Sequence, residues 1–289
     1  MSAPYRYCGR DFSEDEVSLV AGLCQGLPTR ASIARELCSR LGWADAVGGP
    51  KAMSARVALL RMEADGLVVL PAPANDNNAN RRWPLRLPAG PLPPPLRAPL
   101  AELRPLQLVP VEGKAASRSW NELVARHHYL GYSPLPGAQR RWFVTGRGQV
   151  LALFGVSAAA WACKPRDDFI GWDARARSGR LHLVVGNSRF LVLPWVDVPN
   201  LASAALGLLR REVGPDWQAA YGYRPVLMET FAETGRFSAT SYKAAGWAHV
   251  GRTTGRGKLD LEHRGGLAIK DVYCLPLLAG FRRHLTDRS

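Results

Sequence analysis

At 289 residues, 47% of them hydrophobic, the chain is long enough to bury one large core or two ordinary ones. Lys and Arg number 38 against 24 Asp and Glu, a net charge of +14, which points to a polyanion such as DNA as partner. Cys8, Cys24, Cys38, Cys163 and Cys274 are odd in number and never spaced C-x-x-C, which argues against a disulfide framework or a zinc site. With no apolar leader and no bilayer-length apolar run, a reduced cytoplasmic protein without membrane contact is expected.

The first 71 residues read as a helical unit. Ser13-Glu14-Asp15-Glu16 is a capping box ahead of Val17, Val20 and Leu23. A second helix follows Thr29, with Ile33, Leu37 and Leu41 on one face. A third runs from about Met53 to Asp65, with Val57 and Leu60 expected inside, and Leu67 to Leu70 reads as a strand. Three helices and then a strand is the order of a winged helix-turn-helix. Its third helix would present Lys51, Ser54, Arg56 and Arg61 to DNA. The competing reading is a small bundle with a solvated basic face.

Residues 72–102 read as a linker. Half of the 22 prolines fall between Pro71 and Pro110, and Asn75 to Asn80 is polar and without pattern. Residues 103–289 then read as an α/β core. A strand is expected near Leu106–Val109 and a helix over Ser117–His127, followed by a hairpin turning at Gly146-Arg147-Gly148. Arg166 to Trp172 reads as a polar-aromatic loop. Phe190 to Leu193 is a continuous apolar run that predicts a strand buried on both faces. The helix after it is capped by Asn200 or Ser203, and its open N-terminus is suited to an anionic group, with Arg189 nearby. Pro225 to Thr230 is a further strand, Ser241 to Gly246 a short helix, and His249–Arg252 and Ile269–Leu275 the last strands. Phe281 to His284 reads as a basic tail.

Three residues stand out as catalytic candidates. His128 ends a helix beside Tyr129 and is a candidate base. Glu229 ends a central strand, where a carboxylate suits a general base; the alternative is an ion pair with a neighbouring Arg. Tyr242 opens the short helix with its ring directed back toward the strand that carries Glu229, so phenol and carboxylate would share one cleft. Arg256 and Lys258, in a basic turn, are further candidates for DNA contact. Asp167, Asp197, Glu229 and Asp271 would have to converge to form a metal-dependent nuclease or transposase site.

Several phrases, taken in order, resemble the DruA family, protein A of the Druantia anti-phage systems. They include Tyr7-Cys8-Gly9-Arg10, His128-Tyr129-Leu130-Gly131, Arg166 to Trp172, Asn187-Ser188-Arg189-Phe190-Leu191, Asn200-Leu201-Ala202-Ser203, Glu229-Thr230-Phe231 and Ala244-Ala245-Gly246-Trp247. The resemblance implies a setting of phage defence or mobile elements, with other defence proteins, such as a helicase, as partners. Residues 103–278 also resemble the GNAT acyltransferase fold in the order of their elements. Tyr242-Lys243-Ala244-Ala245-Gly246-Trp247 is similar to the Tyr-x-x-x-Gly-Phe phrase of those enzymes, which implies Tyr242 as general acid. That resemblance implies acyl-CoA as cofactor, held by Arg189, Asn200 and Ser203. The glycine-rich pyrophosphate turn is replaced here by Val198 to Ser203, which has no glycine for close backbone approach and counts against acyl-CoA. The turn is similar to that of the Mom-type phage enzymes that modify DNA bases, which keeps group transfer to nucleic acid open. A non-enzymatic DNA-recognition module is the alternative.

Overall fold

A computed structural model describes residues 5–45, 48–73, 91–255 and 266–286. The chain divides into two units, Met1–Arg82 and Trp83–Ser289.

The first unit opens with a hairpin, β1 (Tyr5–Tyr7) against β2 (Arg10–Phe12). Cys8 and Gly9 both take positive φ, as a two-residue hairpin turn with the twist of its strands requires. Helix α1 (Glu14–Gly26) starts at the expected capping box of Ser13 and Glu16. Helix α2 (Arg30–Arg40) starts at a second box, Thr29 with Ser32. Helix α3 (Ala52–Ala64) buries Ala55, Ala58, Leu59 and Met62. Val57 and Leu60, expected inside, are 39% and 48% exposed. The buried stripe is Ala55, Ala58, Leu59 and Met62, at i, i+3, i+4 and i+7, and it leaves Val57 and Leu60 on the other side of the helix. Residues 67–70 form no strand, and Val69 is 85% exposed. The wing expected there is therefore absent, and the hairpin of this unit is the unpredicted β1–β2.

In the second unit, β3 (Leu96–Arg97), β4 (Gln107–Pro110) and α4 (Gly113–His127) lead into the hairpin β5 (Gln139–Gly146) and β6 (Gln149–Ala158). Helices α5 (Lys164–Ile170) and α6 (Ala174–Arg180) follow, then β7 (Val184–Val192), β8 (Val196–Asp197) and the long helix α7 (Leu201–Tyr221). The chain continues through β9 (Leu227–Glu233), α8 (Thr240–Ala244), β10 (Ala248–Arg252), β11 (Lys270–Pro276) and α9 (Phe281–Thr286). One seven-stranded sheet runs β10-β11-β9-β7-β6-β5-β4. Every pair is antiparallel except β7 with β9.

The sheet is covered on both faces. Ala205, Leu209, Val213 and Trp217 of α7 pack on one, against Trp142, Phe154, Val185 and Met228. On the other, Trp120 and Val124 of α4 meet Leu151 and Leu153, while Ile170 and Phe281 cover Val184 and Leu227. Burial on both faces explains why these strands read as continuous apolar runs.

Three expectations need correction. The Pro-rich stretch is not a linker as far as residue 102: β3 pairs in parallel with β8, and Leu96, Leu100 and Leu103 join the α4-side core. Arg166 to Trp172 is mostly helix, with Arg166 buried. Phe281 to His284 is no tail, since Phe281 and Leu285 are buried. Among the described residues, no helix is long and apolar enough to cross a membrane.

Candidate functional site

Strands β7 and β9 are in register for only three pairs, Val184 with Leu227, Val185 with Met228 and Gly186 with Glu229. Both strands continue, to Val192 and Glu233, but they diverge. The cause lies on the other edge of β7. Against β6, Gly155 pairs with Arg189 and Val156 with Asn187, so Ser188 is an extra residue in the ladder. Such a bulge bends its strand and sharpens the local twist. Gly155 accommodates it: a Cβ there would stand 3.0 Å from both Trp120 and Leu135 and 3.2 Å from the Arg189 Cβ. At the point of divergence the Thr230 hydroxyl donates to the Asn187 carbonyl at 3.0 Å, in place of the lost ladder bond. The buried half of β7 is thus Val184–Asn187. Phe190 to Val192, expected inside on both faces, is only partly buried and lines the opening.

The opening is a cleft of about 1100 Å³. Its walls include Asn187, Arg189 and Phe190 from β7, Thr230 and Glu233 from β9, and Tyr242 from α8. His128 and Tyr129 come from the end of α4, Arg236 and Phe237 from the turn after β9, and Lys270 from β11. Tyr242 is held by its ring: Trp247 meets it edge-on at 5.2 Å and Tyr273 stacks at 6.1 Å. Its hydroxyl accepts from Asn187 Nδ2 at 3.1 Å and shares a second, 3.5 Å hydrogen bond with the Thr230 hydroxyl, whose own proton goes to the Asn187 carbonyl. Burial pushes the phenol up to about 12, partly countered by those two hydrogen bonds, so near neutral pH it keeps its proton.

His128 also lines the cleft. Its Nδ1 accepts from the Leu130 N–H at 3.2 Å, which assigns the ring proton to Nε2. Burial, with Arg189 and Arg236 adding to it, lowers its pKa to about 3. A neutral imidazole with Nδ1 occupied and Nε2 protonated is a hydrogen-bond donor and not the base expected. Arg189 donates to the Ser188 carbonyl and the Ser133 hydroxyl, while its buried Nε has no partner. Arg189, Arg236 and Lys270 face a single lining carboxylate, Glu233, so the described walls carry excess positive charge. Glu233 makes no side-chain hydrogen bond or ion pair with the described residues.

Glu229 is not in the cleft. It is fully buried, with Oε1 accepting from the Ala160 N–H at 2.7 Å and Oε2 from Arg166 at 3.0 Å. Arg166, itself fully buried, also pairs with Asp167, which accepts from Trp172 and Arg177. Burial raises the Glu229 carboxyl pKa against the pull of Arg166. The expected sharing of one cleft by Tyr242 and Glu229 therefore fails: the phenol faces the opening, while the carboxylate lies in the core on the far side of the divergence, in the ion pair that was the alternative. Nor do the four acidic residues converge. Asp197 pairs with Arg97, and Asp271 with His249 and Arg252, apart from the Arg166 cluster. Among the described residues no group of three or more His, Cys, Asp or Glu is placed to hold a metal.

At the start of α7, Asn200 takes a left-handed conformation (φ 64°) and makes no side-chain capping bond. Ser203 donates back to the Asn200 carbonyl. Pro199 has no N–H, the Leu201 N–H donates to Val198 and that of Ala204 to Asn200. Of the turn Val198 to Ser203, only Ala202 lines the cleft. An acyl-CoA pyrophosphate needs converging free backbone N–H groups at close approach. The N–H groups of Ala202 and Ser203 at the start of α7 have no partner among the described residues, but without a glycine the turn lacks the close backbone approach such a group uses, which counts against acyl-CoA.

Lys51, Arg56 and Arg61 are exposed on α3, with Ser54 half-buried beside them. Arg256 and Lys258 lie outside the described residues. Sequence reasoning missed Asn187, Glu233, Arg236 and Phe237. Asn187 opens a phrase already singled out for its resemblance, and Glu233 lies on the strand that carries Glu229, but only the bulge at Ser188 reveals which part of each strand faces the opening.

Residues 94–270 match the family model of the Druantia protein DruA, and the chain belongs to that family. No protein of curated function matches it. Solved structures with a similar core include three acetyltransferases. RimJ of Mycobacterium smegmatis with CoA-disulfide is 10% identical over 62% of this chain and 90% of that one, with a TM-score of 0.37. A GNAT-family acetyltransferase of Streptococcus pneumoniae is 12% identical over 59% and 99%, at 0.35. A microcin self-immunity acetyltransferase with acetyl-CoA and AMP is 8% identical over 48% of this chain, at 0.32; only 61% of its own length is covered.

Proposed function

We propose that this DruA-family protein binds DNA in phage defence and modifies nucleic acid by group transfer in the cleft between β7 and β9. One observation carries the reading: an un-ionised phenol stands in a cleft whose charged walls favour an anion. A nucleophile of the nucleic acid attacks the transferable group of an activated donor, and as that group's bond to its leaving group breaks Tyr242 gives its proton to the leaving group. Arg189 and Arg236 draw in the phosphate backbone and stabilise developing negative charge. Glu233, a carboxylate without a hydrogen-bond or ion-pair partner among the described residues, takes the proton that the nucleophile loses as the new bond forms. The basic residues on the exposed side of α3 add contacts to phosphate, which fix affinity without reading sequence.

A second reading is favoured by a different observation. Glu229 and His128 are unavailable as bases, and the α7 turn counts against acyl-CoA, so the same cleft would serve recognition without chemistry. Phage challenge of cells carrying wild type, Tyr242→Phe or Glu233→Gln separates the two. Loss of protection in both variants, with expression and DNA affinity unchanged, is expected of the transferase. Full protection by both would leave recognition alone.

A further inference from the structure

At the mouth of the cleft lies an aromatic and cationic cluster that the proton transfer does not use. Tyr129 stacks on His128, with ring centroids 4.9 Å apart at 28°. Phe237 meets Tyr129 edge-on at 5.0 Å. The Arg236 guanidinium lies 4.7 Å from the Tyr129 centroid and 5.6 Å from that of Phe237. Two distant segments, the end of α4 and the turn after β9, thus supply one surface. A single exposed ring is ordinary in a soluble protein, and Phe237, 43% exposed, would need no comment by itself. Here it adjoins a cation without an ion-pair partner among the described residues and opens onto a cleft that holds Arg189. Deeper in that cleft, Asn187 is only 5% exposed, and its buried Oδ1 accepts from nothing among the described residues. Buried polar groups are nearly always paired, so an acceptor left over in a cleft wall points to a donor brought by a ligand.

The ligand that matches a π-face, flanking cations and a buried acceptor is a nucleobase with its phosphates. In a duplex the base faces are covered by their neighbours, so stacking on a protein ring requires an unpaired base. We infer that Phe237, Tyr129 and Arg236 form a stacking platform that takes an unpaired base of single-stranded DNA into the cleft, where Asn187 Oδ1 accepts from its exocyclic amine. This rests on the reading of the cleft as a nucleic-acid site and names the form of its substrate.

The test is fluorescence anisotropy of a short labelled oligodeoxycytidine against the full chain, with a duplex of the same length and free CMP as competitors. Phe237→Ala is expected to weaken single-strand binding about tenfold, while Phe237→Trp, which keeps a π-face, retains it. Trp161→Ala removes another exposed ring, 66% accessible and outside the cleft, and is expected to change nothing. The inference is overturned if Phe237→Ala binds within twofold of wild type at an unchanged melting temperature, or if Trp161→Ala weakens binding as much. It also falls if the duplex competes as well as the single strand. If CMP competes as well as the strand, the platform serves a mononucleotide and the strand proposal is lost. Because the readout is affinity, these outcomes do not depend on whether Tyr242→Phe abolishes protection.

Discussion

The Tyr242 hydroxyl accepts a 3.1 Å hydrogen bond from Asn187 Nδ2, tying the first turn of α8 to β7 at the point where β7 leaves β9. The tyrosine is thus fixed twice, by its ring against Trp247 and by its oxygen across the mouth of the divergence. Packing and position coincide in one residue, and mutation can separate them. Tyr242→Phe keeps the ring and removes the oxygen, which leaves the Asn187 amide without an acceptor. A stability loss of about 1–2 kcal/mol is expected, read as a small drop in melting temperature. Protection against phage is expected to disappear. Full protection at that small cost would make the tyrosine structural only.

Glu229 is predicted to behave in the opposite way. Glu229→Ala leaves the buried Arg166 with Asp167 and the Ala160 carbonyl and orphans the Ala160 N–H. Breaking such a pair costs about 3–5 kcal/mol. Denaturant melts should show that loss, and any activity per folded molecule should survive. A variant as stable as wild type would refute the assignment of Glu229 to the core.

His128 predicts a pH dependence. Its pKa falls from 6.5 to about 3 in the folded chain, because burial and two nearby arginines disfavour the cation. Above pH 6.5 neither state carries the extra proton. Between 6.5 and about 3 the unfolded chain binds it and the folded chain does not, so stability falls as pH falls. Between pH 6.5 and 5 this amounts to about 2 kcal/mol. His128→Gln removes that contribution, so its stability should change less over the same interval in chemical denaturation. Parallel profiles for the two proteins would show that His128 titrates normally.

DNA affinity should fall steeply with salt, as expected of a chain with a net charge of +14. Replacing Arg56 and Arg61, both exposed on α3, by Ala should flatten the slope of log affinity against log salt by about 2 if each meets one phosphate. An unchanged slope would remove α3 from the interface.

Isothermal titration of the full chain with acetyl-CoA is expected to give no binding tighter than about 1 mM, since the turn before α7 has no glycine for close backbone approach to a pyrophosphate. Tight binding that is lost in Asn200→Ala would reinstate the cofactor.

Local chemistry was legible in the chain itself. The capping box at Ser13, the start of α2 after Thr29, the glycine that closes α8 and the buried strands follow from short-range hydrogen bonding and from hydrophobic runs, which a few neighbouring residues specify. The order of elements in the core was readable for the same reason, as was Tyr242 as a cleft residue. What the tertiary structure decided depends on partners distant in sequence. Nothing near Glu229 announces that Arg166 will bury with it, and nothing near Phe190 shows that the ladder gains a residue at Ser188. Val57 and Leu60 lie outside because the stripe Ala55, Ala58, Leu59 and Met62 is the one turned to the core. Whether a polar side chain is catalytic or structural depends on which groups reach it in space, and the bulge that sets this here is a property of two strands together.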